Sequence, residues 1–192
     1  MTTRGIRLPH SRSPECSSMR GERIMATKAK TASNAGRGSP DAVELLKADH
    51  RQVAEWFEEF EKSEDDGEKA ELADKICSAL KVHTEIEEEI FYPAFLEATQ
   101  DTDMHHEAEV EHKGAKRLIE DIEDGGPEDE FFDAKVKVLS EMIKHHVKEE
   151  EQPDGMFAEA KKSGMDLEAL GAEMAELKKQ LETEEDAVTA DE

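Results

Sequence analysis

Four stretches of this chain repeat apolar residues at spacings of three and four, and in each of them a histidine takes one of the apolar places. The first row reads Val43, Leu46, His50, Val53, Phe57 and Phe60, and the second Ile76, Leu80, His83, Glu87, Ile90 and Ala94. The third is Ala108, His112, Ala115, Ile119 and Ile122; the fourth is Phe132, Val136, Leu139, Ile143, His146 and Glu150. About six places on each of four helices make about 24, of which histidine, at eight in 192 residues, fills about one by chance. Here every row has one. An imidazole on a buried face needs polar partners, so the chain is restricted to folds in which these four faces meet.

Turn residues separate the rows. Ser39, Pro40 and Asp41 open the first helix, with Ser39 as the expected cap, and the segment Ser63 to Gly67 closes it. Pro93 is expected to end or kink the second helix near Tyr92. Gly125, Gly126 and Pro127 follow the third, and Gln152 to Gly155 the fourth. No alternating strand pattern of useful length occurs, so the expected class is all-α, an up-down-up-down four-helix bundle over residues 40–158. A fifth row, Leu167, Leu170, Met174, Leu177 and Leu181, predicts an additional C-terminal amphipathic helix over 159–183. That helix is expected to fold back across the bundle and limit access to one end, which leaves the chain a monomer. Residues 1–39 read as a disordered basic tail and 184–192 as a disordered acidic one.

Two of the row histidines are followed at i+4, one turn along the same face, by a carboxylate: His83 by Glu87 and His146 by Glu150. Counted from the turns, the four histidines lie at levels that differ by less than about 10 Å. Four imidazoles and two carboxylates thus converge on one layer of the core, where burial without compensation costs several kcal/mol per ionised group. A cation removes that cost. Mixed imidazole and carboxylate ligands suit iron, manganese or zinc, and carboxylates on adjacent helices can bridge a metal pair. His145 with Glu149 is an alternative to His146 with Glu150, but the latter pair continues the apolar row. Glu88 is a weaker candidate for an extra ligand, and Tyr92 can donate a hydrogen bond to a bound oxygen species. His105 and His106 are expected to face solvent.

Charge narrows the partners. The net charge is −24, and residues 1–40 carry +6, which leaves −30 for the rest. Such a body repels nucleic-acid phosphate and anionic lipid. No apolar run approaches the ~18 residues of a membrane span and no secretory signal is evident, so a soluble, cytoplasmic protein is expected. Cys16 and Cys77 are too few for a disulfide framework and are read as reduced thiols.

The stretches HRQVAEWFEEFE, HTEIEEEIFYP, AEVEHKGAKRLI and HHVKEEE resemble the four helices of the hemerythrin-like family, the HHE cation-binding domains, over residues 41 to about 158. The resemblance implies a non-haem di-iron centre with His50, His83, Glu87, His112, His146 and Glu150 as ligands and the two glutamates as bridges. Manganese or zinc is a less favoured occupant. Oxygen-carrying members place a second histidine four residues after the one on the third helix, where this chain has Lys116. The resemblance therefore implies sensing, storage or stress protection involving iron, dioxygen, nitric oxide or peroxide, rather than reversible oxygen carriage. The alternative is an enzyme that reduces peroxide or nitric oxide with electrons from an external donor.

Overall fold

A computed structural model describes residues 40–189 of the chain, and the side chains of 40–184. The expected basic tail over 1–39, with Ser39 as a cap, and the last three residues lie outside that range. The described chain is helical: α1 (Ala42–Lys62), α2 (Asp66–Ile86), a π-helical turn (Glu87–Phe91), α3 (Tyr92–Thr99), α4 (Thr102–Gly125), α5 (Phe132–Glu151), α6 (Met156–Ser163) and α7 (Leu167–Thr189). The expected single accessory helix is thus two, and the second continues as helix beyond residue 183 to Thr189.

The first helix is capped by Asp41, whose carboxylate accepts from Glu44 N at 2.8 Å while Glu44 reaches back to Asp41 N. That reciprocal pair satisfies two of the amide donors a helix start leaves over. Asp65 and Asp101 accept from Glu68 N and Met104 N and start α2 and α4 in the same way. Gln100, in the left-handed conformation at φ 59°, ends α3.

Four helices form the bundle in up-down-up-down order, with neighbours α1 and α2, α2 and α4, α4 and α5, and α5 and α1. Their apolar rows pack into two clusters. One joins Val53, Phe57, Phe60, Ile76, Leu80, Ile119, Phe132 and Leu139; the other gathers Leu46, Ile86, Phe91, Tyr92, Phe95, Ala108, Phe157 and Met174. The histidines lie between the two along the first three rows, and in the fourth His146 follows the members of the first cluster. In the third and first rows every named member is buried, as the spacing predicts.

The second row departs from expectation after Glu87. The helix neither stops nor breaks at Pro93; it widens into one π turn, in which Tyr92 N donates to Glu87 O. Pro93 has no N–H to give to Glu89, and the widened turn absorbs that break. The inserted residue also shifts the register. Phe91, Tyr92 and Phe95 are buried, whereas Ile90 and Ala94, which the unshifted row places inside, are only half-buried.

Helix α7 does not cross an end of the bundle. It runs beside α1 and α2, with Gly171 against the start of α1, Met174 fully buried and Lys178 reaching Asp49 one turn before Val53. A Cβ on Gly171 would sit 2.5 Å from Pro40 O, so the close approach of the two helices requires glycine. A second such position follows α5: a Cβ on Gly155 would meet Glu149 O at 2.1 Å and Glu150 O at 2.7 Å. Neither carbonyl can move without disturbing the end of α5. Gly155→Ala is therefore expected to lower the unfolding free energy by about 1–3 kcal/mol, measured by denaturant titration. Wild-type stability in that variant would contradict the packing described.

Candidate metal centre

The structure brings all six predicted residues into one layer. His50, His83, His112 and His146 are 2–7% exposed, Glu150 2% and Glu87 fully buried. The imidazoles form two facing pairs: His50 Nε2 lies 3.1 Å from His83 Nε2, and His112 Nε2 lies 3.3 Å from His146 Nε2. The carboxylates span the pairs. Glu87 Oε2 is 3.3 Å from both His83 Nε2 and His112 Nε2, and Glu150 Oε2 is 3.4 Å from His50 Nε2 and 3.6 Å from His146 Nε2. Two groups of three result, each with ligand atoms within 4.8 Å of one another: His50, His83 and Glu87, and Glu87, His112 and His146. Glu87 belongs to both. The π turn sets this position, because it begins at Glu87 and holds Tyr92 over the same layer. The Tyr92 hydroxyl is 3.1 Å from His112 Nε2 and 3.4 Å from Glu87 Oε2 and Glu150 Oε1.

Each imidazole turns its other nitrogen toward an acid on the neighbouring helix. His50 Nδ1 donates to Glu151 Oε1 at 2.9 Å, His112 Nδ1 to Glu88 Oε1 at 3.0 Å, and His146 Nδ1 to Glu111 Oε2 at 2.8 Å. His83 Nδ1 faces Asp49 Oδ2 at 3.6 Å, an electrostatic contact longer than a hydrogen bond. Burial opposes ionisation of these four acids, but their histidine and lysine partners outweigh it and hold all four carboxyls below their ordinary range. An ionised carboxylate only accepts, so the histidine proton sits on Nδ1 in each hydrogen-bonded pair and the bare Nε2 points inward. Sequence reasoning missed Asp49, Glu111 and Glu151 and treated Glu88 only as a possible ligand. Each is the chain neighbour of a core residue, displaced by about 100° on its helix. That adjacency was the available signal.

His145 is the outer member of its pair, with a 60% exposed side chain, so His146 and Glu150 are the residues that enter the layer. Contrary to expectation, His105 is not turned to solvent: its ring stands edge-on to Tyr92 at 6.0 Å and its side chain is 14% exposed. Phe157, from α6, stacks on His50 at 5.8 Å. Cys77 lies in the apolar cluster, where burial pushes its thiol up to about 12, so it stays protonated.

The donor set fits a cation. His50 Nε2 and His83 Nε2, 3.1 Å apart, can share only one proton, whereas a metal ion between them would satisfy both. Glu87 Oε1 and Glu150 Oε2 are buried without a hydrogen-bond partner. Protons do part of this work in the protein alone. Burial lowers His50 to about 4. Burial also pulls His146 down, but the charges of Glu150 and Glu87 and the Glu111 hydrogen bond raise it to about 9. Burial and the adjacent Glu87 push Glu150 up, while Glu87 itself, despite burial, is drawn down by His83 and His112.

A four-helix bundle with a buried histidine and carboxylate layer is the architecture of a cation-binding helical protein. The sequence profile of the hemerythrin HHE cation-binding domain matches residues 41–158, and the chain belongs to that family. A hemerythrin HHE cation-binding domain-containing protein from Mycobacterium kansasii has the same fold, with a TM-score of 0.60 at 23% identity over 74% of this chain and 87% of its own. A protein from Nostoc named as a DNA nickase is 31% identical over 108 residues, 56% of this chain; the match spans only 30% of that protein. No helix among the described residues is long and apolar enough to cross a membrane.

The proton positions set a pH dependence. His146 holds its proton more tightly when folded than unfolded, so it contributes stability that is lost as pH rises through its folded value. His50 acts oppositely, but only between its ordinary 6.5 and about 4. The metal-free protein should therefore melt at falling temperature as pH rises from about 6.5 to about 9. Cation binding should tighten over the same range, as the competing proton leaves. Melts with and without chelator should diverge with rising pH, and a flat metal-free profile would contradict the assignment.

Proposed function

We propose that this protein is a non-haem di-iron binding protein that takes up a small ligand, dioxygen, nitric oxide or peroxide, for sensing, storage or stress protection. One observation carries the reading: Glu87 is shared by two separate ligand groups, the arrangement expected of a carboxylate that bridges two ions. His50 and His83 would hold one ion, His112 and His146 the other, with Glu150 as the second bridge. Two irons there supply redox chemistry with coordination positions left over, since six residues serve two ions.

The surrounding residues suit a small guest. A cavity of about 10 Å³, room for roughly one water-sized molecule, lies between the histidines and Val53, Leu80, Ile143 and Val147. Its apolar side favours a diatomic molecule over a hydrated ion. Tyr92 stands at the same layer as a donor, because burial and the charges of Glu87 and Glu150 raise its hydroxyl well above the ordinary range and keep the proton on it. That same proton favours the second reading, an enzyme that reduces peroxide or nitric oxide with electrons from an external donor. The −30 charge of the chain beyond residue 40 opposes phosphate backbones, so this reading includes no nucleic-acid step. With the apolar row of α7 seated on its own bundle, the chain is expected to act as a monomer.

Anaerobically loaded protein should contain about two irons per chain by elemental analysis. His83→Ala or His146→Ala should remove most of that iron, whereas His106→Ala and His145→Ala should leave the final content unchanged. A ratio near zero, or a single firmly held zinc, would exclude the di-iron reading. Stopped-flow peroxide consumption that continues through many turnovers only with added reductant, and falls in Tyr92→Phe, would favour the enzyme.

A further inference from the structure

The four outer acids are not equivalent. Lysine neutralises three of them: Lys47 meets Glu151 at 2.8 Å, Lys116 meets Glu88 at 2.7 Å, and Lys178, from α7, meets Asp49 at 2.5 Å. Among the described residues the fourth, Glu111, has histidines instead. Its Oε2 accepts from His146, and its Oε1 lies 3.3 Å from Nε2 of the exposed His145. The same Nε2 is 3.4 Å from Glu149 Oε1. Ligand-type atoms of Glu111, His145 and Glu149 all lie within 4.8 Å of one another, at the surface between α4 and α5. An imidazole and two carboxylates form the same kind of donor set as each buried group.

Beside this triad opens a cleft of about 330 Å³. Asp101, Asp103, Glu107, Glu111 and Glu149 line it, and among the described residues no lysine or arginine does. His146 and Glu150 of the buried layer are also part of its wall. Glu150 is 98% buried, and its Oε2, without a hydrogen-bond partner, lies 3.4 Å from His50 Nε2 and 3.6 Å from His146 Nε2, so this one residue belongs both to the cleft wall and to the buried layer. The other approaches are less open to cations. Lys178 and α7 stand over the Asp49 side, Lys47 and Phe157 over the His50 side, and Lys116 over Glu88.

We propose that Glu111, His145 and Glu149 form an outer site for a divalent cation, and that the acidic cleft beside them is the route from this site to the buried centre. The proposal rests on reading the buried layer as a cation centre. Clustered carboxylates with low-dielectric walls concentrate cations and raise association rates by about 10- to 1,000-fold, an effect that salt weakens. Glu111 touches both ends of the transfer, since one oxygen belongs to the outer triad and the other orients His146. A cation passed inward exchanges His145 and Glu149 for His146 and Glu150, ligands of the same two kinds.

The test uses the full chain and the double variant His145→Asn/Glu149→Gln, which keeps Glu111 and all six buried residues. Anaerobic loading with ferrous ion, quenched at intervals with a fast chelator, should be about tenfold slower in the variant, with the same final iron per chain. Added salt should slow the wild type more than the variant. Independently, substoichiometric manganese(II) should broaden the ring resonances of isotope-labelled His145 in the wild type while sparing His106. Equal loading rates at equal final content would overturn the route, and His145 signals untouched by manganese would overturn the outer site. If the wild type takes up no iron, the reading of the buried centre fails, and the manganese experiment, which needs no loaded centre, still decides the outer site.

Discussion

Every other feature of this protein depends on a ring of four contacts between histidines and acids that runs once around the bundle. Asp49 on α1 faces His83 on α2; Glu88, just past α2, holds His112 on α4; Glu111 on α4 holds His146 on α5; and Glu151 on α5 holds His50 on α1. Each helix gives one histidine to the centre and one acid to the next helix's histidine. Tautomer, ring orientation and helix register are therefore set together, because a helix that rotates loses a contact in both directions. Such outer partners fix the ring that coordinates and raise its basicity. The ring also makes an all-or-none demand on the sequence, since one missing acid frees one imidazole to turn.

This arrangement explains how a chain with 39% charged residues builds a stable core. The apolar material is divided into two clusters with the histidine layer between them, so neither cluster is large. The polar layer must then contribute cohesion rather than subtract it. Ionised outer acids and inward-facing lone pairs leave a concentration of negative potential at the centre, which a cation neutralises and protons only partly offset. Cation binding and folding are thus linked through the same residues. Helices α6 and α7 extend the second cluster, and Phe157 and Lys178 carry them up to the edge of the layer.

How much of this was legible in the sequence follows from which geometry a linear pattern records. Rows at spacings of three and four record one face of one helix, so the bundle, the six core residues and the preference for His146 over His145 could all be read. The outer acids lie on flanking faces, and their partners are on other helices. Glu111 and Glu151 look like ordinary solvated glutamates until the neighbouring helix is in place. The π turn is hidden for a different reason: Pro93 signals a disturbance in the helix, but not whether the chain breaks or inserts a residue. The outcome decides that Tyr92, and not Ala94, faces the centre. His105 precedes the third row, and the shelf that keeps it from solvent, the ring of Tyr92, comes from another helix.

Lys116 shows how one position couples the layers. It stands one turn after His112, at the place where the resemblance drawn from the sequence puts a further histidine in the oxygen-carrying members of the family. Here the position bears a cation that pairs with Glu88 at 2.7 Å, and Glu88 in turn holds Nδ1 of His112 at 3.0 Å. A potential ligand has been replaced by support for an existing one. The pair His112 and His146 therefore meets the centre with only the shared glutamates beside it, and the Tyr92 hydroxyl occupies the adjacent space. The retained proton of Tyr92 thus stands as a hydrogen-bond donor at the layer, beside His112 and both glutamates.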